Sequence, residues 1–207
     1  MPGVFQAGTI CVVQARMVIL VGSRGRGSNM ANLVTACSDG RLAADPVLVI
    51  CARIDAPACA VATQLGITVE VVSPKSESYA SGLMRVLESA RPTVICLAGY
   101  MSLLPRIVVQ AFAGRILNIH PALLPKYGGK GMYGMHVHEA VLAHGESESG
   151  CTVHLVTEEY DEGAILLQKR CEVLSDDTVE TLAARVLQLE HQAYPEAVAT
   201  LLAGVKS

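Results

Sequence analysis

The chain has 207 residues, 51% of them hydrophobic and 17% charged, so it can bury a sizeable core as one domain. A formal net charge of −3, with no long run of like charges, excludes the electrostatic footprint of a nucleic-acid binder and points to a small-molecule partner. The seven cysteines are odd in number, show no C-x-x-C spacing and mostly sit inside apolar runs, which suits small core residues in a reducing cytoplasm.

Residues 3–13 are mildly apolar but too short to span a bilayer and carry no positive flank, so neither a signal peptide nor a membrane segment is expected. With the rest of residues 1–16 they read as an N-terminal extension, leaving 17–207 as a single domain. Residues 17–22 are an apolar run ended by Gly22, and 29–37 follow with helical spacing, closed by Gly40. The rhythm then repeats. Strands are predicted over 47–51, 67–72, 93–98 and 115–120, with helices over 56–65, 78–90 and 105–112 between them. Each strand is continuously apolar, which predicts a parallel sheet covered on both faces, an open doubly wound, Rossmann-like α/β fold. After a glycine-rich loop, a helix over 135–144 leads to strands over 151–156 and 164–173, joined by an acidic turn and read as an antiparallel addition. A long amphipathic helix from about 177 ends the chain, with Leu182, Val186 and Leu189 on one face and Pro195 as its expected kink or break.

Asn118 and His120 are two apart on the strand 115–120, so both side chains point to one face. Pro121, Pro125, Gly128, Gly129, Gly131 and Gly134 then turn the chain into a permissive loop. An amide and an imidazole therefore meet at a strand's carboxyl end, the edge where open α/β sheets bind ligands. The loop Gly22-Ser-Arg-Gly-Arg-Gly-Ser-Asn29 joins a strand to a helix and suits an anion, although it is neither a Walker loop nor a dinucleotide fingerprint. A tight turn capped by Ser28 or Asn29 is its plain alternative. His136 and His138, beside Glu139, diverge on a helix, so no metal is expected. Among Glu158, Glu159, Asp161 and Glu162 the spacing makes no choice.

Asn118-Ile-His-Pro-Ala-Leu-Leu-Pro125 closely resembles the Asn-x-His-Pro-Ser-Leu-Leu-Pro signature of folate-dependent formyltransferases. From about Met17 onward the chain is similar to the branch of that family that formylates phosphoribosylglycinamide in purine synthesis. The resemblance implies 10-formyltetrahydrofolate as formyl donor, small-molecule partners only, no nucleic acid or membrane, and a cytoplasmic monomer or homodimer. It selects Asp161, which matches the family's Asp-x-Gly, as the carboxylate acting with Asn118 and His120. It further implies that Gly27, Ser28 and Asn29 hold the ribosyl phosphate and that Glu190, in Glu190-His191-Gln-Ala-Tyr194-Pro195, binds the glycinamide amine; an exposed helical glutamate is the alternative. The folate would lie against Met101, Ser102, Leu103, Leu104 and Asn118, with Thr157, Glu158, Glu159, Tyr160 and Asp161 around it. Ser102 and Ser76 stand where relatives often carry arginines near the folate tail. Thr152 and His154 match residues close to the reacting groups, and His136 and His138 a nearby wall.

The chemistry accounts for these residue types. An amine attacking a formyl carbon needs the developing oxyanion stabilised and a proton delivered to the departing N10. Asn118 can donate to the formyl oxygen, His120 as imidazolium can supply charge and proton, and Asp161 favours that charged form. Methionyl-tRNA formyltransferase and formyltetrahydrofolate deformylase would each need a further domain. A non-catalytic folate- or nucleotide-binding module would lack one of Asn118, His120 and Asp161, and all three are present.

Overall fold

The computed structural model describes residues 14–204. In chain order the elements are β1 (Ala15–Val21), α1 (Ser28–Ser38), β2 (Ala44–Cys51), α2 (Pro57–Gln64), β3 (Val69–Val71), α3 (Tyr79–Ala90), β4 (Val94–Ala98), α4 (Arg106–Ala111), β5 (Ile116–His120), α5 (Met135–Ala143), β6 (Glu148–Leu155), β7 (Ile165–Glu172) and α6 (Val179–Gly204). One sheet holds these seven strands in the order β3-β2-β1-β4-β5-β6-β7. The first five run parallel, while β6 is antiparallel to β5 and β7 to β6. This is the expected doubly wound sheet with its antiparallel C-terminal addition.

The sequence of β1 explains its central place. Met17, Ile19 and Val21 join the core on one face and Val18 and Leu20 that on the other, as a strand buried on both sides must. Met30 and Leu33 of α1 with Leu182 and Val186 of α6 cover the first face, and Leu83 and Leu87 of α3 with Val108 of α4 cover the second. The strand opens at Ala15, two residues ahead of the expected start. Arg16 is tied in by its N–H, 3.0 Å from Thr93 Oγ1, and by its Nε, which donates to the Ala90 carbonyl at 2.9 Å. The rest of the expected extension, over residues 1–13, lies outside the described residues.

Two other strands also begin early. β2 takes in Pro46, which a central strand rarely admits, at the point where the register with β1 shifts between Met17 and Val18. β6 starts at Glu148 because Gly150 lets the strand through: a Cβ there would collide with the Lys169 carbonyl of β7. The expected break in the last helix does not occur, since α6 runs whole through Pro195. Proline has no N–H to offer the His191 carbonyl four residues back. Asn32 Nδ2 of α1 donates to that carbonyl at 2.7 Å instead. Tyr194 anchors the same turn, its hydroxyl reaching the carbonyls of Leu97 at 2.9 Å and Leu117 at 3.1 Å.

The cysteines divide. Cys96 and Cys151 are buried free thiols, as expected of core residues. Cys51 at the end of β2 and Cys59 in α2 instead bring their sulfurs together, with Cα atoms 6.3 Å apart, because α2 folds back beside the strand it follows.

Candidate functional site

β5 ends at the carboxyl edge of the sheet, where its parallel half meets its antiparallel half. Asn118 and His120 stand in register with His154 and Thr152 of β6. Asn118 Nδ2 lies 3.1 Å from His154 Nε2 and donates toward Asp161 Oδ1 at 3.4 Å. The same carboxylate is 3.4 Å from His154 Nε2 and 3.5 Å from His120 Nδ1, and it accepts the Gly129 N–H at 2.9 Å. Asp161 is thus shared by two imidazoles, an amide and a backbone N–H. It holds a left-handed backbone with φ 57, uncommon for a residue with a Cβ.

Partners settle where the His120 proton sits. The Tyr127 carbonyl can only accept, so His120 Nε2 donates to it at 2.7 Å and Nδ1 is left facing Asp161. Burial holds His120 below the ordinary imidazole range, and the Asp161 charge and the Tyr127 carbonyl pull it only partly back. Asp161 favours the charged imidazole, as expected, but loss of water outweighs it and leaves His120 below its ordinary range. Burial also pushes Asp161 up, yet the bond with His154, the neighbouring His120 charge and the Gly129 N–H together carry it below the usual carboxylate range.

These groups open onto a cavity of about 740 Å³ whose opposite wall is built by the start of α1 and by α6. Glu190 of α6 is 7% exposed, and Asn29 Nδ2 donates to its Oε2 at 2.7 Å. Burial pushes the Glu190 carboxyl up to about 7, with the Asn29 bond acting against it. Asn29 Oδ1 is a buried acceptor with no partner. No side chain caps α1, whose N-cap Gly27 takes φ 80, so its first turn offers backbone N–H groups to an anion.

Most of the predicted residues meet in this cavity: Ser28, Asn29, Met101, Ser102, Leu103, Leu104, Asn118, His120, His154, Thr157, Glu159, Tyr160, Asp161 and Glu190 all line it. Three do not. Gly27 lies behind it against α2, where a Cβ would stand 3.1 Å from Ala58 Cβ. Glu158 turns outward to α4, accepting from Gln110 Nε2 at 2.9 Å and pairing with Arg106 at 3.2 Å. Thr152 is buried beneath the loop after β5, donating to the Ala122 carbonyl at 2.6 Å and accepting the Leu124 N–H at 3.0 Å. His136 and His138 diverge as α5 requires: the first is exposed and pairs with Glu139, while the second is buried on the cavity wall with Nδ1 unpartnered.

Sequence reasoning missed Arg26, Lys130, Tyr133, Glu180 and Leu187, which also line the cavity. The glycines from 128 to 134 were a signal for the loop that carries Lys130 and Tyr133. Nothing in the periodicity of α6 marks Glu180 or Leu187 as facing a cavity.

An open parallel sheet that gathers an amide, two imidazoles and a carboxylate at its carboxyl edge defines a Rossmann-like α/β protein with a small-molecule site. The chain belongs to the formyl transferase family, whose pattern matches residues 15–198. It is 44% identical over 192 residues to the chloroplastic phosphoribosylglycinamide formyltransferase of Arabidopsis thaliana, covering 90% of this chain and 65% of that protein. To the phosphoribosylglycinamide formyltransferase of Escherichia coli (strain K12) it is 36% identical, covering 86% of this chain and 84% of that one. The crystal structure of phosphoribosylglycinamide formyltransferase from Brucella melitensis superposes with a TM-score of 0.81 at 42% identity, covering 90% of this chain and 95% of the other. The chain spans less than two thirds of the length of the Arabidopsis protein and of its Vigna unguiculata counterpart.

Proposed function

We propose that this chain transfers the formyl group of 10-formyltetrahydrofolate to the amine of phosphoribosylglycinamide. One observation carries the reading: Asn118, His120 and Asp161 on one wall of a single cavity face Asn29 and Glu190 on the other, so a formyl carbon and an amine can meet between them. The names of the relatives agree with it. The residues fit both guests. Asn29 and Glu190 line the cavity with an amide and a carboxyl for the glycinamide amine, and Leu97, Leu104 and Val156 give it apolar surface that suits a flat ring. The phosphate falls to the uncapped start of α1, with Arg26 beside it.

In this reading the donor cosubstrate supplies an activated formyl group, and the chain manages charge and protons around it. Glu190, poised near 7, is ionised enough at neutral pH to accept the proton that the attacking amine must lose. Asn118 Nδ2 donates to the formyl oxygen as negative charge grows there. His120 in its charged form supplies the proton the departing nitrogen needs. Burial makes that form the scarcer one in the free protein, so the Asp161 charge governs how much of it is reachable. Thr152 positions the loop that carries the Tyr127 carbonyl.

Purified protein given both substrates and followed for tetrahydrofolate tests the proposal. Folate binding without turnover would reassign the chain as a binding module, and release of formate without the acceptor would make it a deformylase. No described helix is long and apolar enough to cross a membrane. We place the protein in the cytoplasm as a monomer or homodimer, to be checked by cell fractionation and sedimentation.

A further inference from the structure

The cavity beside Asn118 and His120 is rich in carboxylates: Glu159, Asp161, Glu180 and Glu190 all line it. Both guests of the proposed reaction bring further negative charge, and a phosphate monoester alone carries about −1.5 to −2 at neutral pH. Such a group settles among carboxylates only where cations offset the repulsion. Among the described residues two permanently basic side chains line the cavity, Arg26 and Lys130. Arg26 precedes the uncapped start of α1, which leaves Lys130 as the cation without an assigned task.

Lys130 is exposed and has no carboxylate partner among the described residues, whereas Lys126 is 2.9 Å from Glu146 and Lys169 is 2.7 Å from Glu196. The backbone fixes where it stands. Gly129 donates its N–H to Asp161 Oδ2 at 2.9 Å, and the Met132 N–H returns to the Gly129 carbonyl at 3.1 Å, so Lys130 and Gly131 form the tip of a tight turn. Gly131 takes φ 91 at that tip, a conformation glycine adopts freely. The lysine is thus held one residue from the N–H that ties the turn to Asp161.

The sheet decides which guest the lysine faces. From β4 the chain passes Met101–Leu104 to α4, and Leu104 and Val108 pack on one face of the sheet. From β5 it passes the Lys130 turn to α5, and Val141 packs on the other face with Met30 and Leu33 of α1 and Val186 of α6. The turn therefore leads to the side of the cavity built by α1 and α6, away from the segment that meets the folate. We propose that Lys130 is a specificity-determining residue that binds the 5′-phosphate of the acceptor, closing with Arg26 and the first N–H groups of α1 on a phosphomonoester dianion. This rests on phosphoribosylglycinamide being the acceptor, and it makes the phosphate, besides the amine, a condition for tight binding. An acceptor without it leaves both cations among the carboxylates with nothing to hold.

Calorimetric titration of the full chain with phosphoribosylglycinamide, with its dephosphorylated ribonucleoside and with a folate analogue tests the assignment. Lys130→Met removes the charge and keeps a similar stem. It should weaken phosphoribosylglycinamide by about tenfold or more, and leave the ribonucleoside and the folate analogue bound as before. Lys130→Arg should retain most of the affinity, and the gap between wild type and Lys130→Met should narrow at high salt, as screening of an exposed charge requires. In turnover the loss should fall on KM for the acceptor, with kcat held. A Lys130→Met that binds phosphoribosylglycinamide as tightly as the wild type would overturn the assignment and leave the proposed reaction standing. Weakening of the folate analogue instead would move the lysine to the folate, and equal weakening of the ribonucleoside would trace the loss to the turn and not to a phosphate contact. A wild type that binds no phosphoribosylglycinamide would overturn the assignment and the reaction together.

Discussion

Glu190 shows how much a single buried carboxyl can control. Its pKa rises from 4.5 to about 7 on folding, so the folded state holds the proton more firmly than the unfolded chain. The sign follows: this contribution to stability is fully present below about 4.5 and is lost as the pH rises through about 7, a loss on the order of 3 kcal/mol. Glu190→Gln keeps a partner for Asn29 and removes the titration. In urea, the wild type should lose stability relative to the variant across that window, and turnover of the variant should fall by roughly 10²-fold or more. Parallel stability curves would show that Glu190 ionises in the folded protein as it does in water. Asp161 works the other way on His120, as the charge that resists burial. In Asp161→Asn the imidazole should fall further below its ordinary range, so the alkaline limb of the pH–rate profile, set by loss of the His120 proton, moves to lower pH. Turnover should drop by on the order of 10²–10³, and the double variant with His120→Ala should cost far less than the product of the two single losses. An unmoved limb with multiplicative losses would separate the two residues.

At the scale of elements, α6 makes the sharpest case. Its integrity across Pro195 depends on α1, since Asn32 serves the one carbonyl that the proline leaves open. Asn32→Ala should cost about 1 kcal/mol, read as a lower urea midpoint, because the part-buried His191 carbonyl loses its donor. Asn32→Asp, which cannot donate, should be no better, and a neutral result in both would mean that water replaces the amide. This bond is also where legibility ended. The parallel strands could be read because each is a short, mostly apolar run bounded on at least one side by glycine or proline, and the antiparallel pair because an acidic turn separates two such runs. Pro195 read as a break because the rule for proline is local, whereas its remedy lies 159 residues away along the chain. Early strand starts at Ala15, Ala44 and Glu148 were hidden for a related reason: each depends on what the neighbouring segment presents, namely Thr93 to Arg16, the β1 register shift to Pro46 and the Lys169 carbonyl to Gly150. The site followed the same division. Asn118 and His120 were legible from strand period alone, Asp161 only through a family motif, and the outward turn of Glu158 toward Arg106 not at all.

Across the whole molecule, the sheet's carboxyl edge is a meeting place for distant parts of the chain. One wall of the cavity comes from the first helix and the last, joined by the Asn29–Glu190 bond across 161 residues; the other comes from the ends of β4, β5 and β6 and the loops after them. Two walls from two regions imply that two ligands can be lost separately. Asn29→Ala removes the donor that holds Glu190, on a different wall of the cavity from Met101 to Leu104. It should weaken phosphoribosylglycinamide by roughly ten- to a hundredfold, the range for one hydrogen bond to a charged group, and leave a folate analogue bound as tightly as before. Met101→Ala, on the opposite wall and 41% exposed, should weaken the folate analogue alone. Calorimetric titration of each variant with each ligand gives four affinities. A folded Asn29→Ala that loses both ligands equally would mean that the walls are not independent and that the Asn29–Glu190 bond holds the cavity open for both.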